Sequence, residues 1–198
     1  MTEPALPLGL LKDLLAWWRK TRTRGFIIGG LAVSLRADPR VTRDVDAVIV
    51  LDKKRWHAFL EKGTEFHFYP RIPEPLDFAE RNRIFLLHHE RSKIDLDLSV
   101  AGVSFEIEAL QRAKKVRIGR LQVPVATAED LIVLKAVARR HIDWADIEKL
   151  LAYGEDLDIA YIRKQVDQLA QMLEAPEIYE ELDRRLVEFT KTRRPKKT

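Results

Sequence analysis

The spacing of apolar residues changes once along this chain, and the change predicts its organisation. Up to Val125 the apolar residues fall in short runs separated by turn-forming residues, which is typical of strands and short helices. Beyond that point they recur at helical spacing, and helices are predicted to begin near Thr127, Asp143, Asp158 and Pro176. The pattern predicts an α+β chain in which a mixed-sheet lobe precedes a helical lobe.

The individual elements of the first lobe follow from the same pattern. Leu6–Lys20 has leucines at helical spacing and is predicted to form an amphipathic helix. The prolines of residues 66–78 predict a loop or an edge crossing. Two apolar runs on either side of Arg91 and Ser92 are predicted to form a hairpin. These runs are Arg83–Glu90 and Lys93–Val100, and the other predicted elements are strands Phe26–Ile28 and Val45–Leu51, helices Leu31–Leu35, Lys54–Lys62 and Phe105–Ala113, and a hairpin over Val116–Val125.

The predicted elements divide the chain into three segments. Residues 1–125 form the sheet lobe with an N-terminal helix, residues 126–190 form the helical lobe, and residues 191–198 form a short basic tail. A chain of 198 residues has the usual length of one globular unit or of two small lobes.

Two carboxylates one residue apart are the clearest chemical signal in the sheet lobe. Asp44 and Asp46 lie at the start of the predicted strand that runs to Leu51, and successive side chains in a strand point to opposite faces. Both carboxylates therefore share one face, where they repel each other unless a cation joins them. Mg²⁺ binds one or two protein carboxylates together with substrate phosphates. The pair predicts a metal site for a substrate that carries phosphate.

A glycine pair lies upstream, between the first predicted strand and a short helix. Gly29 and Gly30 allow the backbone to turn sharply and to approach a ligand closely. The free N–H groups and the positive dipole end of the following helix favour a bound phosphate. This turn is therefore a predicted phosphate site.

The glycine pair, a spacer of 13 residues and the segment DVDA resemble, in this order, the signature of the polymerase-beta-like nucleotidyltransferase superfamily. That superfamily has a third carboxylate between apolar residues on a later strand. The segment KIDLDLSV supplies it, with Asp95 as the best match and Asp97 on the same strand face as the second choice. One departure is Leu31, which stands where many catalytic relatives have a serine.

A later segment, Val123–Leu151, resembles the motifs of the AbiEii-type nucleotidyltransferases, which are toxins of bacterial toxin–antitoxin pairs. The resemblance covers roughly residues 26–151. In this segment, Asp143 and Asp146 are expected to order Arg139 or Arg140 through ion pairs rather than to touch the substrate. The matching positions are Glu129, Asp130, Lys135, Arg139 or Arg140, and the aspartates Asp143 and Asp146.

The resemblance implies a metal-dependent nucleotidyltransferase that moves a nucleotide from an NTP to an acceptor hydroxyl. The implied acceptor is an RNA 3′ end such as that of tRNA, and the implied partner is a cognate antitoxin. Mg²⁺ or Mn²⁺ is the implied cofactor. The implied residues are Asp44, Asp46 and Asp95 for the metal and catalysis, and Gly29, Gly30 and Lys135 for the nucleotide.

Several residues have two interpretations. Lys135 is expected to face the cleft and bind the triphosphate, and the alternative is an exposed lysine whose stem lies along the surface. Arg43 either binds phosphate or has a structural or exposed role. His88, His89 and Glu90 look like metal ligands, but adjacent side chains in a strand point apart, so a structural role is favoured.

Composition limits the compartment and the partners. The chain has no cysteine, which excludes disulfides and thiolate metal sites and fits a reducing cytoplasm. The N-terminus lacks the pattern of a signal peptide, and no apolar run approaches the ~20 residues of a membrane span. We therefore expect a soluble cytoplasmic protein. The net charge of +4 lies partly in the tail KTRRPKKT, which is either a solvated end or a nucleic-acid contact.

Two other functions compete with this interpretation. A non-catalytic binding protein could retain the fold, although the presence of all three carboxylates argues against it. A small-molecule nucleotidyltransferase of the aminoglycoside-modifying type would need an acidic acceptor pocket and would have no use for a basic tail.

Overall fold

The computed structural model of the chain describes residues 6–37, 42, 44–154 and 156–192. Within these residues, seven strands form one mixed sheet, accompanied by nine α-helices, which confirms the predicted α+β class. The strands are β1 Arg24–Ile28, β2 Asp44–Val50, β3 Phe68–Pro70, β4 Ile84–His89, β5 Ile94–Val100, β6 Lys114–Ile118 and β7 Leu121–Val125. The helices are α1 Leu8–Thr21, α2 Gly29–Arg36, α3 Trp56–Thr64, α4 Pro75–Asn82, α5 Ser104–Arg112, α6 Ala128–Ala138, α7 His141–Tyr153, α8 Ile159–Met172 and α9 Glu177–Thr192.

The sheet has the strand order β3-β4-β5-β2-β1-β7-β6, so β2 lies in its middle. β2 runs parallel to β5, and β1 runs parallel to β7, whereas the other neighbours are antiparallel. The residues Ala47, Val48 and Ile49 of β2 are buried although they alternate between the two faces. The centre of β2 is therefore covered on both sides, and its polar residues are confined to the N-terminal end.

The chain divides into two compact units. The first contains all seven strands together with α1, α3, α4, α5 and most of α2, and the second contains α6 to α9. None of the helices in the described part of the chain has the length and apolar character needed to cross a lipid bilayer.

Aromatic packing holds α1 on the sheet of the first unit. The ring of Trp17 is fully buried and stacks on Phe59 and Phe68, with centroid distances of 4.1 and 5.2 Å. Its indole N–H donates a hydrogen bond to the Phe59 carbonyl at 3.1 Å. A Cβ at Gly63 would lie 2.7 Å from the Trp17 ring, so this glycine makes room for the stack. Burying one such side chain contributes roughly 1.5–3 kcal/mol, which explains why α1 joins this unit.

The second unit is built around α6. Leu131, Ile132 and Val133 are consecutive in this helix and all are buried, so neighbours surround it rather than covering one stripe. Those neighbours are α7, α8 and α9. On α7, the ring of Trp144 lies 4.6 Å from the Arg185 guanidinium of α9.

The structure corrects the sequence-based prediction for residues 66–78. This segment is not only a loop, because it contains β3, an edge strand of the sheet, and the start of α4 at Pro75. Proline fits the first turn of a helix because its missing N–H would have no partner there. A smaller difference concerns α2, which begins at Gly29 rather than at Leu31. The other predicted elements agree with the observed ones to within a few residues.

Candidate functional site

Four aspartates lie side by side on two neighbouring parallel strands of the first unit. Asp44 of β2 is opposite Asp95 of β5, and Asp46 is opposite Asp97. Since side chains alternate along a strand, all four share one face, and the residues between them are fully buried on the other face. We call these four residues the carboxylate cluster.

The glycine pair lies next to this cluster. Gly29 begins α2 with a φ of +64°, and a Cβ at this position would overlap the Asp46 carboxylate. Ile28, the residue before it, is opposite Asp46 in the β1–β2 ladder. Gly30 is buried in the first turn of α2. The structure therefore brings together the predicted glycine turn and the predicted aspartate pair, and only a residue without a side chain fits between them.

An arginine that the sequence analysis did not identify bridges two members of the cluster. Arg71 follows β3, and its Nη1 donates to Asp95 Oδ2 at 2.9 Å, while its Nη2 donates to Asp97 Oδ1. Its backbone N–H donates to the Leu86 carbonyl of β4 at 2.9 Å. The backbone of Arg71 is thus fixed at the sheet edge, and its side chain reaches across β4 to β5.

The two adjacent histidines of β4 point to opposite faces, as predicted from strand alternation. His88 lies opposite Asp95, and its Nδ1 is 2.7 Å from Asp95 Oδ1. His89 is fully buried, with hydrogen bonds to Ser92 at 2.7 Å and to Asp13 at 3.2 Å. Burial lowers the pKa of His89, although Asp13 opposes this effect. His89 is therefore structural, whereas His88 belongs to the site through Asp95.

Asp97 is a member of the carboxylate cluster whose charged form is disfavoured by its surroundings. Burial raises the pKa of Asp97 above its usual value, Arg71 works against this increase, and the negative charges of Asp44 and Asp95 add to it. A raised carboxyl pKa means that the charged form is disfavoured. At Asp97, burial and the neighbouring carboxylates together outweigh the effect of the Arg71 guanidinium.

The cluster fits a divalent metal by its chemistry, because it offers several hard carboxylate oxygens on one face beside a phosphate-binding turn. In this conformation, however, no three His, Asp or Glu side chains among the described residues converge closely enough to hold an ion together. The guanidinium of Arg71 instead forms ion pairs with both Asp95 and Asp97, at the face where a metal ion would bind. Asp95 as the third ligand, with Asp97 as the second choice, stays a prediction.

Lys135 lies within the second unit, where it pairs with the two aspartates of α7. Only 5% of its surface is exposed, and its ammonium lies 2.9 Å from Asp143 Oδ1 and 2.8 Å from Asp146 Oδ2. The alternative interpretation of an exposed lysine is therefore wrong, and a role in binding the nucleotide stays a prediction. We call Lys135, Asp143 and Asp146 the lysine cluster.

The other residues of the second motif also make contacts inside the helical unit. Arg140 donates to Asp143 Oδ2 at 2.8 Å, which confirms the predicted ion pair, whereas Arg139 pairs with Glu177 at 2.7 Å. Asp130 is fully buried and accepts a hydrogen bond from the Tyr161 hydroxyl at 2.7 Å.

The structure does not test the interpretations of Arg43 and of the basic tail. Arg43 and the basic tail from residue 193 onward lie outside the described residues.

Comparison with solved structures shows which proteins share this fold. The antibiotic-resistance factor ANT(2'')-Ia has a TM-score of 0.59 at 21% identity, over 87% of this chain and 95% of that one. The lincosamide antibiotic adenylyltransferase LnuA has a TM-score of 0.54 at 14% identity, over 76% of this chain and 99% of that one. An antigenic nucleotidyltransferase-like protein from Paracoccidioides brasiliensis has a TM-score of 0.51 at 19% identity, over 91% and 94%. Because these identities are low, the similarity establishes the fold alone.

Comparison with protein families gives the assignment. No curated protein matches the chain. The family described as "Nucleotidyltransferase of unknown function (DUF6036)" matches residues 13–194, a range that includes the glycine turn and the carboxylate cluster. The predicted nucleotidyltransferase class is confirmed, and the narrower AbiEii-type assignment stays a proposal. The chain is an enzyme of this class and belongs to the DUF6036 family of nucleotidyltransferases.

Proposed function

We propose that this enzyme transfers a nucleotide from an NTP to an acceptor hydroxyl, using Mg²⁺ or Mn²⁺ held by Asp44, Asp46 and Asp95. The observation that carries this proposal is the carboxylate cluster, in register on two strands and in contact with Gly29. Asp97 is the second choice for the third ligand.

The residues of the site have distinct tasks in this reaction. Divalent ions, when bound, would activate the acceptor hydroxyl and neutralise the leaving pyrophosphate. Asp95 is the group that would accept the hydroxyl proton, and its hydrogen bond to His88 fixes its orientation. The N–H groups of Gly29 and Gly30 at the start of α2 would hold the phosphates, as expected for a helix N-terminus. Lys135 is the proposed cation for the triphosphate.

The direct test is transfer of label from each α-labelled NTP in the presence of Mg²⁺. Asp46→Asn should lower transfer by at least about 10³-fold, because this substitution removes a charge that the metal requires. The variant should remain folded, since the substitution keeps the shape of the side chain and relieves repulsion among the four neighbouring carboxylates. Asp156→Asn, at an exposed aspartate of the helical unit, is the matched control. Full activity of Asp46→Asn would contradict the proposal.

We propose an RNA 3′ end, such as that of tRNA, as the acceptor. Support comes from a basic surface at the end of the β1–β2 pair opposite the carboxylates. Arg24 of this surface is opposite Val50, the last residue of β2, and Arg55 donates to the Thr21 carbonyl. The length of β2 separates it from Asp44 by about 20 Å. The basic surface comprises seven exposed residues, Arg19, Lys20, Arg22, Arg24, Lys53, Lys54 and Arg55.

An RNA bound there would place its backbone on the basic surface and its 3′ hydroxyl at the carboxylate cluster. Replacing Arg22 and Arg24 by glutamate should then weaken transfer to intact tRNA and reduce its salt dependence. Replacing the exposed Lys114 and Lys115 of β6 in the same way is the matched control. Transfer to a short 3′-terminal oligonucleotide should change little in either variant. Equal losses in both variants would contradict an RNA path over this surface.

A cationic small molecule is the second candidate acceptor. The support is a cleft of about 550 Å³ between α3 and α4, which is lined by Glu61, Glu74 and Asp77 next to apolar Leu60 and Leu76. The structural neighbours described above include antibiotic adenylyltransferases. The test is to offer aminoglycosides and lincosamides with ATP in place of RNA, and to compare the parent with Glu61→Gln. Transfer to RNA alone would exclude this candidate.

We extend the proposal to a cytoplasmic toxin whose partner is a cognate antitoxin, and the resemblance of Val123–Leu151 to AbiEii-type toxins supports it. Induced expression of the parent should arrest bacterial growth, whereas Asp46→Asn should not. Normal growth at equal protein levels would exclude the toxin role and leave the transfer reaction intact.

A further inference from the structure

We propose that Arg71 is a resident counter-ion of the carboxylate cluster, that a metal–NTP complex displaces it, and that its guanidinium then binds the triphosphate. The inference rests on the proposed function, because it requires a metal ion at Asp44 and Asp46. It assigns a substrate-binding role to a residue outside the nucleotidyltransferase signature.

Arg71 occupies carboxylate oxygens that a metal ion at this site would use. Asp95 has both oxygens engaged, Oδ2 by Arg71 at 2.9 Å and Oδ1 by His88 at 2.7 Å. Asp97 accepts the other arm of the same guanidinium. Arginine keeps its proton at any physiological pH, so it cannot release these carboxylates by becoming neutral. The guanidinium brings its positive charge to the place where a cation would bind and takes up lone pairs of these carboxylates, so Arg71 and a metal ion compete for Asp95 and Asp97.

The Arg71 side chain can leave its two aspartates at a low cost in free energy. The Arg71 side chain is 29% exposed, and its two partner aspartates are 38% and 30% exposed. Ion pairs of this exposure contribute little stability, because water solvates the separated charges well. The backbone of Arg71 stays in place through its hydrogen bond to Leu86, so only the side chain has to swing.

The triphosphate would be the new anionic partner of the displaced guanidinium. An NTP that shares a metal with Asp44 and Asp46 brings several phosphate oxygens to the same face of the sheet. The planar fork of arginine binds two phosphate oxygens at once, and such charge-assisted hydrogen bonds are roughly twice as strong as neutral ones. The displaced side chain thus exchanges one pair of anionic oxygens for another.

A structural role for Arg71 makes a different prediction. If the ion pair only fastened the end of β3 to β5, its loss would lower stability and leave the affinity for metal unchanged. Displacement instead requires that the metal and the guanidinium compete. The sign of the change in metal affinity separates the two roles.

The experiment is calorimetric titration of the full chain with Mn²⁺ alone. Arg71→Gln should bind Mn²⁺ about threefold to tenfold more tightly than the parent, because no guanidinium competes for the carboxylates. Arg91→Gln, at an exposed arginine in the turn after β4, is the matched control and should bind Mn²⁺ as the parent does. Unchanged or weaker binding by Arg71→Gln would overturn the proposal. Arg71→Lys, measured in the same way, should show a smaller increase and serves if the glutamine variant does not fold.

A second titration uses the Mn²⁺ complex of inorganic tripolyphosphate, which tests the phosphate contact independently of any base. Here Arg71→Gln should bind about tenfold more weakly than the parent, since it has lost a charged phosphate ligand. Equal or tighter binding would overturn this half of the proposal. Asp46→Asn tests the proposed metal site separately from the role of Arg71, because this variant should lose Mn²⁺ binding. If Asp46→Asn keeps the parent affinity, the proposed metal site is wrong; if only Arg71→Gln fails to respond, the Arg71 proposal alone is wrong.

Discussion

The carboxylate cluster and the lysine cluster use the same motif in opposite environments. In each, one cation is shared by two aspartates. The Arg71 side chain and its partners are 29–38% exposed, whereas the side chains of the lysine cluster are 0–6% exposed. Separating charges in contact with water costs little, but leaving a charge unpaired in a protein interior costs several kcal/mol. The exposed cluster is therefore suited to exchange its cation for a ligand, whereas breaking the ion pairs of the buried cluster should cost far more stability.

The largest effect is expected in the buried cluster. Lys135→Ala should lower the free energy of unfolding by about 3–5 kcal/mol, because two buried aspartates lose a counter-charge. Urea unfolding of the full chain measures this, and Lys164→Ala, at an exposed lysine of α8, should stay within about 0.5 kcal/mol of the parent. From the sequence alone, Lys135→Ala is expected to lower NTP affinity more than stability. The burial of Lys135 between two aspartates predicts instead that stability falls more than NTP affinity. Unchanged NTP affinity in the folded variant would exclude Lys135 from nucleotide binding.

The next effect separates the two aspartates of β5. Asp95→Asn should lower nucleotide transfer by about 100-fold, which corresponds to ~2.7 kcal/mol, because it removes the proposed metal ligand and proton acceptor. Asp97→Asn should lower it by much less. Initial rates at saturating NTP and Mg²⁺ compare the two variants. The opposite ranking would assign the third ligand to Asp97 and move the site by two residues along β5.

The smallest change in stability is expected where the cation is exposed. Arg71→Ala should change the free energy of unfolding by less than about 1 kcal/mol, and added salt should reduce the difference further. The same urea experiment that is used for Lys135 measures it. A loss comparable to that of Lys135→Ala would show that the two clusters are equally structural and would remove the contrast between them.

The two clusters should also respond to pH in opposite directions. The raised pKa of Asp97 means that the native state binds more protons than the unfolded state between the unfolded and folded pKa values, so stability rises as pH falls through that window. For Asp143, burial works to raise the pKa, but the hydrogen bonds from Arg140 and Lys135 outweigh it and lower the pKa. The stability that Asp143 contributes is therefore present above its unfolded pKa and is lost as pH falls through its folded pKa.

The measurement is the melting temperature from pH 7 down to pH 3. At pH 7, Asp97→Asn should melt higher than the parent without metal, and the difference should shrink on acidification as the parent's Asp97 takes up its proton. Further acid should then destabilise both proteins as Asp143 becomes protonated. A gap that widens towards low pH would contradict the assignment for Asp97.

The sequence predicts the carboxylate cluster better than the cations that accompany it. Strand alternation alone places Asp44 and Asp46 on one face, and a hairpin turning at Arg91 and Ser92 places His88 opposite Asp95, a pairing that could have been found. Such local rules hold because the strand period fixes the direction of each side chain.

Arg71 and the lysine cluster depend on packing between distant segments, which local patterns do not specify. Arg71 follows β3, a three-residue strand that ends at a proline and offers no periodic signal. For Lys135, helical spacing from Leu131 indicates the buried face of α6, but the choice of Asp143 and Asp146 as partners follows from how α7 packs against it. Contacts of this kind depend on tertiary packing between distant segments, which the local sequence pattern does not specify.

The distribution of tryptophans gives each unit its own optical reporter. Trp17, Trp18 and Trp56 are buried in the first unit, and Trp144 is the fourth of the four tryptophans in the chain and lies in the second unit beneath the Arg185 guanidinium. In Trp144→Phe, the remaining indole fluorescence therefore comes from the sheet unit alone. The emission of that variant would follow the melting of the sheet, and its difference from the parent spectrum would follow the helices, so that one spectrometer can record whether the two units unfold together or one after the other.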